Sequence, residues 1–60
     1  MKDWFVRYRS GKGYIPAREE SPTKYEIFGD YMKDHKACEI LVRGLNSGMI
    51  KIKKKRYEQR

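Results

Sequence analysis

From Trp4 the chain alternates: Trp4, Val6 and Tyr8 fall on one parity and Phe5, Arg7 and Arg9 on the other. A period of two in β-favouring residues predicts a strand over residues 3 to 9. Ser10-Gly11-Lys12-Gly13 follows, and two glycines in four residues permit a tight reversal into a short partner strand, Tyr14-Ile15-Pro16-Ala17. Pro16 has no N–H to give a ladder, so this strand is expected at a sheet edge.

Ser21-Pro22 has the form of a helix start, with a hydroxyl to accept an orphan N–H and a proline at the first helical position. Tyr25, Phe28 and Met32 then recur at helical spacing, with Ile27 and Tyr31 widening the stripe, and predict a core-facing helix over about 22 to 35. A competing reading makes Tyr25-Glu26-Ile27-Phe28 a short strand ending at a Gly29-Asp30 turn; the longer periodicity favours the helix. Residues 38 to 43 carry aliphatics on both parities, as a central strand does. Gly44 to Gly48 is rich in turn formers and should reverse the chain into a last strand, Met49 to Lys55, where isoleucine alternates with lysine.

The predicted order is β-β-α-β-β, an α+β single small domain over residues 1–60, built as an antiparallel sheet of two hairpins with one helix packed across it. Residues 57–60 are expected to fray. A chain of 60 residues buries only about 60% of the surface it exposes when unfolded, so the core must be small. Trp4 and the helical stripe are its expected members, and Tyr14 or Tyr31 its expected exposed rings.

Charge changes this picture from a fold to a function. The net charge is +7, and it is unevenly placed. Residues 1 to 17 set Lys2, Arg7, Arg9 and Lys12 against Asp3, a balance of +3. Residues 18 to 42 hold six carboxylates against four cations, a balance of −2, and residues 43 to 60 reach +6 with Glu58 as their one acid. Were the first and last strands neighbours, both basic ends would share one sheet face.

Arg7, Arg9, Lys12, Arg43, Lys51, Lys53, Lys55 and Arg56 are then the candidate phosphate contacts, with Phe5 and Tyr57 as candidate stacking rings. The expected function is a non-enzymatic accessory protein that binds DNA or RNA without sequence preference. The competing expectation is a small interaction module, a regulator or inhibitor of phage or mobile-element type, that docks on an acidic host protein; ribosome association is a third. A homodimer would add core to a chain that has little.

Catalytic and cofactor chemistry has no comparable signature. Ser10-Gly11-Lys12-Gly13 lacks the spacing of a phosphate loop and a following helix. Asp30, Asp34 and His35 do not converge on a predicted helix, so no metal site is expected, and His35 with Lys36 is read as favouring the helix C-terminus. Cys38 is the single cysteine and reads as a buried small hydrophobe in a cytoplasmic protein without disulfides. The apolar run Trp4-Phe5-Val6 is too short and too flanked by charge for a signal peptide, and no membrane span is expected.

Overall fold

The computed structural model describes residues 3–60. Its strands are β1 (Phe5–Arg9), β2 (Gly13–Ser21), β3 (Lys24–Ile27) and β4 (Arg56–Gln59), with one helix, α1 (His35–Ser47), between the last two. The four strands form a single antiparallel sheet in the order β1-β2-β3-β4. The architecture is thus the expected one, an α+β domain with a helix packed across a four-stranded antiparallel sheet, while several segments exchange roles within it.

The first hairpin forms as its pattern predicts, with Tyr8 opposite Tyr14 and Arg9 opposite Gly13. Pro16 is not at an edge. It lies in β2, between β1 and β3, where its carbonyl accepts from the Phe28 N–H. The return bond from a Pro16 N–H would have gone to the same neighbour, and there the ladder breaks. Tyr14 and Met32 next exchange both backbone bonds, at 2.7 and 2.8 Å, so Gly29, Asp30 and Tyr31 together oppose Ile15. A bulge is one of the few places an interior strand can hold proline. Gly29 turns the corner at φ 71°.

Residues 22 to 35 are therefore not a helix. Ser21-Pro22-Thr23 is the turn between β2 and β3, with the Thr23 N–H donating to the Ser21 hydroxyl. The helix begins instead at Asp34, whose carboxylate accepts from the Lys36 and Ala37 N–H groups, and ends at Gly48, with φ 85°. The segment read as a strand over 38 to 43 lies inside it, and His35 and Lys36 stand in its first turn rather than its last. Residues 49 to 55 are not a strand either; they run as a strap from the end of α1 to β4, and of residues 57–60, expected to fray, Tyr57, Glu58 and Gln59 are paired to β3 together with Arg56.

Register sorts the sheet into two faces. Phe5, Arg7 and Arg9 share one with Ile15, Ala17, Tyr25, Ile27, Arg56 and Glu58. Ile15, Ala17 and Ile27 form the core cluster there, packed by Tyr25 and Tyr31. In a flat sheet the outer strands would stand about 14 Å apart, yet Arg7 on β1 meets Glu58 on β4 at 2.6 Å. This face is accordingly concave, a trough whose opposite walls are joined by ions.

The other face carries Trp4, Val6, Tyr8, Tyr14, Arg18 and Glu26, and α1 packs over its β1–β2 half. Trp4 is buried as expected, and so are Cys38 and Leu45 of the helix. Burial pushes the Cys38 thiol above its ordinary range, and nearby Glu39 adds to the effect. The Asn46 amide both accepts from the Trp4 N–H and donates to the Trp4 carbonyl, fixing the last turn of α1 against the start of β1.

Candidate nucleic-acid interface

The sheet is staggered: β1 pairs with the first half of β2 and β3 with the second, so that Ile27 and Arg56 lie level with Ala17 and Phe5, four residues along from Gly13 and Arg9. The strap brings its charge to the Ile27–Arg56 corner. Ile50 and Ile52 are half-buried while Lys51 and Lys53 are exposed, so the alternation in the sequence holds without any strand pairing. Ile50 is seated on Gly44 of the helix and its N–H donates to the Gly44 carbonyl at 3.1 Å.

Lys51, Lys53, Lys54 and Arg56 surround a shallow depression of about 280 Å³ whose remaining walls are Ile27, Phe28, Gly29 and Ile52. Arg56 donates one N–H to the Gly29 carbonyl at 2.9 Å, which aims its guanidinium along this corner. No ion pair among the described residues involves these four cations. A second depression, of about 320 Å³, is lined by Tyr8, Gly11, Lys12, Gly13, Tyr14 and Lys33. Lys12 also lies over the Tyr31 ring, 5.4 Å from its centre.

The continuous basic sheet face expected from the sequence does not form, because β1 and β4 occupy opposite edges. Arg7 and Arg9 point into the trough, where Glu58 pairs with both, at 2.6 and 3.0 Å. The Tyr31 hydroxyl donates to the same carboxylate. Partial burial alone would raise the Glu58 carboxyl, but the Tyr31 hydroxyl and then the two guanidinium groups outweigh it and hold the group below the usual carboxylate range. Arg7 is further stacked over Tyr25, 4.5 Å from the ring centre. These arginines are structural ties.

Phe5 and Tyr57 fall on opposite faces, since Phe5 is in register with Ala17 and Tyr57 with Glu26. Phe5 packs edge-on to Tyr25, and Tyr57 carries Lys24 over its ring. Neither lines the depression beside the strap. Lys55 is exposed outside the depression, and Arg43 is exposed on the helix. The sequence reading missed Lys33, Lys54, Tyr8 and Tyr14 as site residues. It also named Tyr14 or Tyr31 as the exposed ring, whereas both are half-buried and Tyr8 is 61% exposed. The hairpin register placed Tyr8 beside Lys12 already in the sequence; Lys33 reaches the tip only through the Tyr14–Met32 bridge.

Among the described residues no cluster of three or more metal-ligating side chains occurs, and His35 lies against Glu39 at 3.5 Å. No helix among them is long and apolar enough to cross a membrane. No family model, curated protein or solved structure matches this chain.

Proposed function

We propose that this chain is a cytoplasmic, non-enzymatic nucleic-acid-binding accessory protein that grips phosphates with the strap and the adjoining end of the sheet. One observation carries the reading: Lys51, Lys53, Lys54 and Arg56 ring a single depression with no carboxylate paired to them among the described residues. Three lysines and an arginine held this close repel one another, and a polyanion relieves that repulsion while releasing its own counterions. The apolar floor of Ile52 and Phe28 lowers the cost of excluding water from the contact.

Fluorescence anisotropy with labelled oligonucleotides tests it. Four neutralised phosphates on a single strand imply a slope of log K against log salt near −3, or about 50-fold weaker binding at 200 than at 50 mM salt. Replacing Lys51, Lys53 and Lys54 together with alanine should make that slope shallower by about 2. Absence of binding at about 50 mM salt refutes the proposal.

Ile40, 67% exposed on α1, and Met49, 85% exposed at the start of the strap, favour a second reading in which the same cations dock on an acidic protein. That reading requires binding that survives nuclease treatment and falls when Ile40 and Met49 are both made serine.

A further inference from the structure

The hairpin tip has a chemistry that the strap lacks. We infer that Tyr8 is a stacking platform for one unpaired nucleobase, with Lys12 and Lys33 taking its flanking phosphates, so that the ligand is single-stranded rather than duplex; this rests on the nucleic-acid reading above.

Tyr8 and Tyr14 stand directly opposite each other, with ring centres 5.2 Å apart at 54°. They are a close pair, because Tyr14 spends its backbone bonds on Met32 and so faces Tyr8 at a non-hydrogen-bonded position. Tyr14 is the fixed member: its backbone is tied on one side and the His35 ring meets it edge-on, 5.0 Å away. Tyr8 is the open member. Gly11 and Gly13 border the same depression without side chains, and their φ angles of 80° and 112° favour glycine there, so nothing from the turn covers the ring.

Lys12 and Lys33 line the same depression as that ring, with the Lys12 ammonium over neighbouring Tyr31. Neither Lys12 nor Lys33 is in an ion pair among the described residues. The adjacent acid, Asp34, already accepts from the Lys36 and Ala37 N–H groups at the helix start. An exposed aromatic face sharing a depression with two cations is what one nucleotide of a single strand requires, a base to stack and a phosphate on either side.

The two depressions are separate, one lined by the strap and the end of β3, the other by the β1–β2 turn. A duplex can reach the lysines at either place, but its bases are sealed in the stack, and Tyr8 then contributes nothing.

The test compares wild type with Tyr8→Leu, which keeps apolar packing against Tyr14 but has no ring face, and with Tyr8→Phe, which restores the face. Anisotropy is measured with a single-stranded oligonucleotide and with a duplex of matched length, after circular dichroism shows each variant folded. Tyr8→Leu should bind the single strand roughly 5- to 100-fold more weakly, the range of one lost base–aromatic stack. Its salt slope and its duplex affinity should be unchanged, and Tyr8→Phe should match wild type. Equal losses on both oligonucleotides, or none on either, overturn the inference while leaving the phosphate reading in place. Failure of the wild type to bind either oligonucleotide overturns both. Should Tyr8→Leu not fold, Tyr8→Phe and Lys12→Ala/Lys33→Ala decide: a single-strand preference insensitive to the double substitution overturns the inference.

Discussion

Replacing Glu58 with glutamine should open the trough. The carboxylate accepts from Tyr31 through both oxygens, at 2.6 and 2.8 Å, and from Arg7 at 2.6 Å. It is the link between β4 and the far edge of the sheet. Glutamine keeps the shape but turns hydrogen bonds to an ion into neutral ones, and it presents an NH2 to the Tyr31 hydroxyl and the guanidinium groups. Bonds to charged groups contribute about 1.5–3 kcal/mol and neutral ones about 0.5–1.5, so the exchange costs about 2 kcal/mol over the Tyr31 and Arg7 contacts. For a domain of this size that is a large share of the total, and lowers Tm by roughly 8–16 °C.

The pH dependence carries a sign. Because the folded carboxyl lies below its unfolded value, its stabilising effect is complete above about pH 4.3 and disappears as pH falls through the lower, folded value. Urea unfolding followed by the fluorescence of buried Trp4 should therefore show wild type losing stability between pH 5 and pH 2 more steeply than Glu58→Gln. The two should converge at the acid end. A variant within about 0.5 kcal/mol of wild type at pH 7, or two parallel acid limbs, would refute the reasoning.

The Arg18–Glu26 pair should behave differently. Glu26 is fully buried and takes two bonds from Arg18 on one oxygen, while the other oxygen has no partner. Glu26→Leu alone should cost about 3 kcal/mol by stranding the guanidinium, and Glu26→Leu with Arg18→Leu should recover most of it in the same urea titration, less what the Arg18 stack on Trp4 contributes. Gly44→Ala should loosen the strap, since the new methyl would lie 2.6 Å from Ile50 Cδ1 and 2.8 Å from its Cγ1. The helix gains up to about 1 kcal/mol in propensity, so circular dichroism should be unchanged while limited proteolysis within residues 49 to 55 accelerates; equal cleavage rates would show that Ile50 does not seat the strap.

The first hairpin was legible because everything that makes it is local: alternation, then glycines at the positive φ of Gly11 and Gly13. In the region from 22 to 35 the strand ending at Gly29 was the reading set aside in favour of a helix. Tyr25, Phe28 and Met32 coincide with helical spacing, and the residue that would have betrayed a strand, Glu26, is a buried charge whose partner lies eight residues back on β2. Ile40 obscured the helix in the same way, since an exposed aliphatic among Cys38, Leu41 and Leu45 fills both parities and imitates a central strand. In the strap, alternation reported correctly which side chains face inward but says nothing of whether a backbone finds a neighbour. Of the site, the cations of residues 51 to 56 could be read from composition. Their separation from Arg7 and Arg9 could not, because it depends on the strand order that Glu58, itself counted as a minor offsetting charge, helps to hold.

Asn46 leaves one more mark on the molecule. By capping both main-chain groups of Trp4 it occupies the place a fifth strand would take. Beyond it, only Val6 and Tyr8 turn their amides outward on that side of β1, an open stretch too brief to template another chain. An amide on the last turn of the helix thus takes one end of this sheet edge out of reach of another backbone.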